Sequence, residues 1–496
     1  MSDGPEHGPT ITRRAAVGAV LAGGAGLLLW PYTPRGRANV PRGRAELQYW
    51  EKWTGIEGLA LQRVVDRYNA TQGEQDKAWV HLVPVSDITS KAMVAIGGGD
   101  PPDLVGLYSY SVPGYAEAKA AMRLDQFAGW SERVASLPYL RGVRDLLEHD
   151  GHQWAGVNTC YTLAMYYNRA MLREIGKDAD RPPRTIAELD EVSDAMTTYE
   201  PGGKDRLARA GFLANVPGWW NYFWPIMFGG MLYDQQYDEA TIGTDPCVGA
   251  YEWLRASAER IGIGATTAFA SGYGRNIHTA QDPFISGRMG MVVQGPWLAN
   301  FIRQYRPDLD YGAAPVPMTD GLVDTERPAG LLEADVLMIP RGCPHPEEAF
   351  GFMLFMQRQD VQEELAIAHC KPSPFVRVSP GFFENHPNRS VRAFDAIAKS
   401  PRVTILPRTT AWKQYADLIN AAFDAIWLGA DAKATIMGVQ ARAQQLIDAA
   451  RARKKQRGEV PLTSALGGQG VACASTSRRS TDLSRATGQW HLGNGA

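Results

Sequence analysis

FISGRMGMVVQGPW, residues 284–297, contains the pattern from which we predict the fold. Its apolar run 289–293 is too short for a helix and is bounded by glycines, which favours a buried β-strand. A Gly-Pro turn then places the ring of Trp297 just beyond the end of that strand. Ligands of open α/β sheets bind outside the carboxyl ends of the strands, so Trp297 is a candidate ligand-binding residue. The alternative is that Trp297 fills a hydrophobic core.

Strands and helices alternate before this stretch, which predicts a parallel sheet covered on both faces. Residues 54–57 and 185–188 are capping boxes, in which a Thr hydroxyl and a Glu carboxylate accept hydrogen bonds from backbone amides at a helix start. Residues 152–157 and 161–167 are predicted to pair as extended segments. Further strands are predicted at 47–50, 79–85, 103–107, 311–315 and 336–339. Further helices are predicted at 88–96, 169–175, 245–261, 346–356, 412–427 and 431–456.

The same stretch has the form F-x-x-G-x-x-x-M-x-x-x-G-P-W, which resembles the signature of family 1 extracellular solute-binding proteins, the maltose-binding-like receptors of ABC importers. The resemblance extends over about residues 45–455. It implies a two-lobed α/β fold of the periplasmic-binding-protein type II, with a ligand cleft between lobes that are joined by crossing hinge segments. Lobe one is expected at 45–157 and 330–372, and lobe two at 158–329 and 373–457.

Composition and charge exclude several classes of protein. The chain has 496 residues, of which 45% are hydrophobic and 21% are charged, and its net charge is −2. A long basic run is missing from the body of the sequence, so we expect no nucleic-acid partner. The five cysteines show no metal-binding spacing. A disulfide between Cys343 and Cys370 stays open as a possibility.

The two termini are expected to lie outside the folded lobes. Arg13 and Arg14 precede an apolar run to Trp30, which indicates an export signal over 1–30, of the twin-arginine type, or an uncleaved anchor. Residues 31–44 are expected to form an exposed basic linker. Residues 458–496 are rich in Gly, Ser, Thr and Arg without periodicity, which predicts a disordered tail.

Motifs for catalysis are missing from the sequence. It contains no G-x-S-x-G, H-E-x-x-H or G-x-x-x-x-G-K-[ST] pattern, and its nine His are dispersed. A pair of carboxylates in a cleft could still hydrolyse a glycoside, and nothing in the sequence selects such a pair. We therefore expect no enzyme activity, no metal and no cofactor.

Residue types suited to sugar recognition follow the predicted strand ends. Aromatic rings stack on the apolar faces of a pyranose, and carboxylates and amides bind its hydroxyls. Trp53 and Glu57 follow the first strand, although Glu57 also suits a purely capping role. Ligand contacts implied by the resemblance involve these two residues and Tyr108, Tyr110, Ser111, Tyr161, Trp219, Trp220, Trp297, Glu333 and Trp412. One of the two adjacent tryptophans is expected to face the cleft while the other packs.

The resemblance implies a receptor that captures a carbohydrate and delivers it to the membrane permease subunits of an ABC importer. Such a receptor is periplasmic or extracellular, and we expect a monomer, tethered to the membrane if the N-terminal segment is retained. One alternative is a receptor for a non-sugar ligand such as glycerol phosphate, which would need Arg, Lys or helix-terminal amides in the cleft. Another is a secreted carbohydrate-active enzyme. The predicted cleft is aromatic and acidic, which favours a neutral sugar.

Overall fold

Two β-sheets organise the chain. The structure is a computed structural model that describes residues 40–274 and 276–457. The predicted export signal, most of the basic linker and the predicted tail, including Cys473, lie outside the described residues. The strands, in chain order β1 to β15, are Ala45–Glu51, Ala78–Pro84, Leu104–Tyr108, Glu148–His149, His152–Gln153, Gly156–Thr162, Ala164–Asn168, Thr198–Tyr199, Leu207–Phe212, Tyr233–Asp234, Glu239–Ala240, Met289–Gln294, Tyr311–Ala314, Gly330–Met338 and Val403–Thr404.

The first sheet has the strand order β15-β14-β3-β1-β2, and β6 also pairs with β14. Strand β1 runs parallel to both β2 and β3, as the alternating pattern of the sequence predicts. Strand β14 runs antiparallel to β3 and β6. Since β1 and β3 are parallel neighbours, the loops that follow them emerge side by side at one edge of the sheet.

The second sheet has the strand order β13-β7-β12-β9-β8. Its centre is β12, which is the strand predicted from the apolar run 289–293, and all of its residues are buried. Strand β12 runs parallel to β9 and antiparallel to β7. The Gly-Pro turn after β12 therefore lifts Trp297 away from the middle of this sheet.

The helices cover the faces of both sheets. In chain order α1 to α15 they are Gly55–Ala70, Gln72–Gln75, Ile88–Gly98, Val112–Glu117, Arg141–Leu147, Arg169–Glu174, Ile186–Met196, Asp245–Ile261, Ile263–Tyr273, Leu298–Tyr305, Pro346–Met356, Gln359–Ala368, Val391–Lys399, Trp412–Trp427 and Ala432–Gln456. Among the described residues, no helix combines the length and the apolar character that crossing a membrane requires.

The two predicted capping boxes behave differently. At the start of α7, the Thr185 hydroxyl accepts a hydrogen bond from the backbone N–H of Glu188, and the Glu188 carboxylate accepts one from the N–H of Arg184. At the start of α1, Thr54 occupies the N-cap position without a side-chain cap bond. The prediction of a capping box at Thr54 was therefore wrong in its hydrogen bonds, although the helix begins where it was placed.

The chain passes between the two sheets through β6 and β7, which are separated only by Leu163. Strand β6 pairs with β14 in the first sheet, whereas β7 pairs with β12 and β13 in the second. The prediction that residues 152–157 and 161–167 pair with each other was therefore wrong. Residues 152–153 pair instead with β4, which lies close by in the sequence. Strands β6 and β7 pair with partners that are distant in the sequence.

Each sheet has its own hydrophobic core. The first core is formed mainly from residues 47–160 and 332–375, and the second mainly from residues 163–331 and 406–447. Further apolar residues, among them Tyr166 and Phe284, pack together in a separate cluster that includes β7 and β12 side chains. Four cysteines within the described residues, namely Cys160, Cys247, Cys343 and Cys370, are buried free thiols.

Candidate ligand-binding site

The carboxyl ends of β1 and β3 bring aromatic rings and a lysine together. Trp53 follows β1, and Tyr108 is the last residue of β3. The ammonium of Lys52 lies 4.8 Å from the ring centroid of Trp53 and 4.7 Å from that of Tyr108. Tyr110 stacks on Tyr108 with a centroid distance of 5.3 Å. The two loops therefore form one continuous surface of aromatic rings around a cation.

A buried charge cluster lies beside these rings and is formed by Lys52, Asp335 and Lys371. Nζ of Lys52 is 3.1 Å from Oδ1 of Asp335, and Nζ of Lys371 is 2.9 Å from Oδ2. The Thr159 hydroxyl donates a hydrogen bond of 2.8 Å to the same carboxylate. Burial opposes ionisation of Asp335, but Lys371 and Lys52 hold its pKa well below the usual range. Asp335 is therefore a fixed negative charge between two ammonium groups.

Glu57 faces this cluster instead of closing a capping box. Its carboxylate lies 4.0 Å from Nζ of Lys371, and burial raises its pKa. Its backbone oxygen lies 3.2 Å from Nε2 of His369, whose ring packs edge-to-face on Trp53 at a centroid distance of 4.5 Å. The first turn of α1 thus contributes an acidic side chain to the same region as Trp53.

Glu333 lies within β14 and joins Tyr161 of the first sheet to Tyr222, which packs against the second core. It is 2% exposed, and its two carboxylate oxygens accept hydrogen bonds from Tyr161 at 2.9 Å and Tyr222 at 3.4 Å. Burial raises the pKa of Glu333 to about 7, and the charge of Asp335 acts in the same direction. The strand was predicted to begin at 336 but begins at Gly330. Buried partners satisfy the carboxylates of Glu333 and Asp335, so these two acidic residues lie within the strand and do not end it.

A series of aromatic rings continues from Tyr161 to the segments that follow β12 and β9 of the second sheet. Trp297 packs edge-to-face on Tyr161 with centroids 5.0 Å apart, and Trp220 lies 6.1 Å from Trp297. Trp219 lies 5.5 Å from Trp220. The ammonium of Lys371 is 5.6 Å from the Trp297 ring, so this series meets the charge cluster.

Two further predicted residues are buried. Trp412, at the start of α14, packs edge-to-face on Tyr222 with centroids 5.3 Å apart. Ser111 follows β3 and is also buried, and its hydroxyl has no hydrogen-bond partner among the described residues. Buried polar groups in proteins are almost always hydrogen-bonded, so Ser111 is a candidate donor to a ligand or a water molecule.

The sequence interpretation missed four side chains of this region. Lys52 adjoins Trp53, and its position directly after a strand was a usable signal. Tyr222 lies in the aromatic run that contains Trp219 and Trp220. Lys371 and His369 follow a helix, and no local pattern marks them. The cleft is therefore not purely aromatic and acidic, because it also contains two ammonium groups.

The site combines three kinds of side chain. Aromatic rings, carboxylates and ammonium groups together suit a ligand with apolar faces and several hydroxyls. Within residues 40–274 and 276–457, no group of His, Cys, Asp or Glu side chains could hold a metal ion. Of the predicted ligand residues, the structure brings five into contact with the charge cluster: Trp53, Glu57, Tyr108, Tyr161 and Trp297. Glu333 joins them through its hydrogen bond to Tyr161. Tyr110 and Trp220 contact Tyr108 and Trp297 directly, whereas Trp219 and Trp412 contact Trp220 and Tyr222.

Sequence comparisons match the chain to binding proteins. A profile of the family described as bacterial extracellular solute-binding protein matches residues 64–374. The maltotriose-binding protein of Pyrococcus abyssi is 24% identical over 338 residues, which cover 66% of this chain and 65% of that protein. The chain thus matches slightly less than two thirds of the length of this relative.

Solved structures of binding proteins have the same fold. CpMnBP1 with mannotriose bound superposes with a TM-score of 0.70 at 23% identity, over 81% of this chain and 100% of that one. UgpB from Mycobacterium tuberculosis in complex with glycerophosphocholine superposes with a TM-score of 0.64 at 21% identity, over 82% of this chain and 99% of that one. These similarities confirm the predicted two-lobed α/β fold.

Proposed function

The chain belongs to the family of bacterial extracellular solute-binding proteins, and we propose that it binds a carbohydrate outside the cytoplasmic membrane and delivers it to the membrane subunits of an ABC importer. The proposal involves binding and release without a catalysed reaction. The relatives support the ligand class, because one is described as maltotriose-binding and another was solved with mannotriose.

The observation that carries the proposal is the meeting of aromatic rings and paired charges between the two cores. The ammonium of Lys371 lies within 5.6 Å of the ring centroids of Trp53, Tyr161 and Trp297. Trp53 belongs to the first core, whereas Trp297 follows the central strand of the second sheet. A ligand in contact with both rings would bridge the two lobes and favour the closed arrangement.

Charge balance favours a neutral ligand. Asp335 pairs with both Lys52 and Lys371, and Glu51 lies 3.1 Å from Lys52. A phosphate ligand would gain most from ammonium groups that lack a carboxylate partner, and neither lysine meets that condition. The hydroxyls of a sugar can instead donate to the carboxylates and accept from the ammonium groups.

A thermal-shift screen tests the ligand class. The intact chain is scanned with monosaccharides, malto- and manno-oligosaccharides, glycerol phosphate and glycerophosphocholine, and every ligand that stabilises it is titrated by calorimetry. We expect stabilisation by at least one sugar, because a ligand that binds only the folded state raises its stability. Stabilisation by a phosphate ester and by no sugar would overturn the proposal. Oligosaccharide cleavage by the purified protein would favour the enzyme alternative.

Two matched tryptophan variants locate the site. Trp297→Ala should weaken sugar binding about tenfold or more, because it removes a stacking face and its buried area. Trp79→Ala is the control, since Trp79 is also partly buried. It lies near the amino-terminal end of β2, and β2 runs parallel to β1, so Trp79 is at the opposite end of the sheet from Trp53. If Trp297→Ala lowers stability strongly and leaves the affinity unchanged, Trp297 is a core residue instead.

Location and partners are also part of the proposal. The family is extracellular, and Arg13-Arg14 before an apolar run supports export by the twin-arginine route. We expect the full chain in the extracytoplasmic fraction, as a monomer without lipid on a cysteine, cleaved or tethered at its N-terminal segment. Recovery in the cytosol, or labelling by a lipid precursor, would contradict this expectation.

A further inference from the structure

The last described helix of lobe two reaches lobe one with its basic end. Helix α15 packs on the second core through one buried face, and its last turn contains Arg453, Lys454 and Lys455. Residues 428–431 connect α14 to α15, and the two helices pack together. Because so short a connection makes neighbouring helices antiparallel, the basic end of α15 lies beside the start of α14, where Trp412 packs on Tyr222.

Two ion pairs join this end of α15 to the other lobe. Nζ of Lys454 lies 2.5 Å from Oδ1 of Asp150, which directly follows β4. Nη2 of Arg457 lies 2.7 Å from Oε2 of Glu117, the last residue of α4. Helices α4 and α5, which flank the two carboxylates in the sequence, pack on the first core. The ion pairs therefore connect side chains of lobe two to side chains of lobe one.

A histidine lies between the two carboxylates on the lobe-one side. Nε2 of His149 is 3.4 Å from Oε1 of Glu117 and 3.5 Å from Oδ2 of Asp150. Burial opposes ionisation of Glu117, but His149 and Arg457 hold the pKa of this carboxyl below its ordinary value. Glu117 is therefore charged at neutral pH and contacts cationic or polar groups of both lobes.

Exposure distinguishes these ion pairs from a neighbouring contact between the lobes. The guanidinium of Arg408, which is 9% exposed, donates hydrogen bonds to the backbone oxygens of Ser109 and Glu148. By contrast, the side chains of Arg457 and Asp150 are 37% and 36% exposed. Buried hydrogen bonds from a charged group contribute more than partly exposed ion pairs, whose partners water can replace. The ion pairs can therefore separate at little cost while the Arg408 contact persists.

We propose that Lys454 and Arg457 form an ionic latch with Asp150 and Glu117, which favours the closed arrangement of the lobes and so sets the affinity for sugar without touching the sugar. Lys454 and Arg457 are thus positioning residues. The effect on sugar affinity rests on the proposed carbohydrate-binding function, whereas the effect on lobe closure rests on the fold and these contacts.

A contribution to closure acts on every ligand alike. A sugar that bridges the lobes binds the closed arrangement, so its apparent affinity falls with the fraction of molecules that can close. Partly exposed ion pairs alter an equilibrium by about two- to fivefold, and salt screens them. Because a neutral sugar has no charge that salt can screen, a salt-dependent affinity for such a sugar reports the ionic latch.

Calorimetry on the full chain tests the ionic latch. Malto- and manno-oligosaccharides are titrated against the unchanged protein, Lys454→Met, Asp150→Asn and the double variant, at about 10 mM and about 1 M salt, where the screening length falls from about 30 to about 3 Å. Asparagine tolerates the left-handed φ of 52° at position 150. At low salt each single substitution should weaken every sugar that binds by about two- to fivefold. The double variant should be no weaker than the single variants, and high salt should weaken the unchanged protein more than the double variant.

The control is Lys413→Met, which removes an ion pair of 3.2 Å with Asp417 that lies entirely within α14. It should leave every affinity and its salt dependence unchanged. If sugars bind but Lys454→Met and Asp150→Asn have no effect, or their losses add in the double variant, the ionic latch is refuted and the proposed function stands.

Small-angle X-ray scattering without ligand provides a readout that needs no sugar. At low salt, Lys454→Met should have a larger radius of gyration than the unchanged protein, because fewer molecules are closed, and Lys413→Met should not. If no sugar binds, the proposed function fails and scattering alone decides the ionic latch. Equal radii of gyration for Lys454→Met and the unchanged protein would then refute it.

Discussion

Asp335→Asn should be among the most destabilising single substitutions in this protein. The carboxylate lies 3.1 Å from Nζ of Lys52 and 2.9 Å from Nζ of Lys371, and it accepts a hydrogen bond from Thr159. Asparagine preserves the shape and removes the charge. The two ammonium groups would then remain in the interior, where their side chains are 10% and 3% exposed.

The size of the effect follows from what each lysine retains. Lys52 keeps Glu51 at 3.1 Å, whereas Lys371 keeps a hydrogen bond to Thr159 and, among the carboxylates of the described residues, Glu57 at 4.0 Å. Removal of one partner from a buried ion pair costs about 3–5 kcal/mol because it leaves an uncompensated charge. Most of this cost should come from Lys371. The double variant Asp335→Asn with Lys371→Met should therefore recover at least about 2 kcal/mol relative to Asp335→Asn alone.

Urea unfolding at neutral pH measures both variants. The control is Glu384→Gln, which breaks an exposed ion pair with Arg392 of similar length, 2.9 Å, and should change stability by less than about 1 kcal/mol. Because the pKa of Asp335 is lowered in the folded state, its contribution is present above the unfolded pKa and is lost only as the pH falls through the folded value. The difference between Asp335→Asn and the unchanged protein should thus persist above about pH 5. A loss below about 1 kcal/mol would refute the reasoning.

Three further predictions concern the same region. A Cβ at Gly295 would lie 2.2 Å from indole atoms of Trp297, so Gly295→Ala should displace the ring and weaken sugar binding about tenfold in calorimetry, whereas Gly264→Ala, which adds its Cβ in open space, should not; equal affinities for the two variants would contradict this. Burial raises the pKa of Glu333 to about 7. As the pH rises from about 4.5 to 7, the protein should therefore lose up to about 3 kcal/mol of stability relative to Glu333→Gln, because the buried carboxyl must ionise. A difference in urea unfolding that does not change with pH would be the contrary result. The described residues contain no candidate metal site, so dialysis against a chelator should leave sugar affinity unchanged, and a loss that added metal restores would show otherwise.

Local patterns were sufficient for much of the fold. Helices α8, α11 and α14 lie at 245–261, 346–356 and 412–427, as predicted, because their apolar spacing and their N-terminal residues are properties of the segment itself. The strand predicted at 289–293 is confirmed as β12 for the same reason. Glycine at 99, with φ 81°, closes α3 as the Gly-rich end of that segment indicated.

Strand partners and buried charges were beyond the reach of local patterns. The pairing of β6 with β14 joins Gly156–Thr162 to residues far along the chain, and nothing within either segment selects that partner. Lys371 follows a helix in the sequence, and its role depends on Asp335 lying 2.9 Å away in the folded chain. From the sequence alone, a carboxylate predicts an exposed position, because its buried partners are not known. The start of β14 was therefore predicted at 336, whereas the strand begins at Gly330.

Three of the four buried thiols can report when different parts of the folded chain open locally to solvent. Cys343 lies in the first core and Cys247 in the second, while Cys160 lies in β6 at the passage between the sheets. Burial raises the pKa of each of these thiols, so a thiol reagent reacts only after the surrounding segment has opened to solvent. Labelling followed by peptide mass spectrometry would therefore report three separate opening rates from one unmodified chain. A sugar that bridges the lobes should slow the reaction of Cys160 more than that of Cys247.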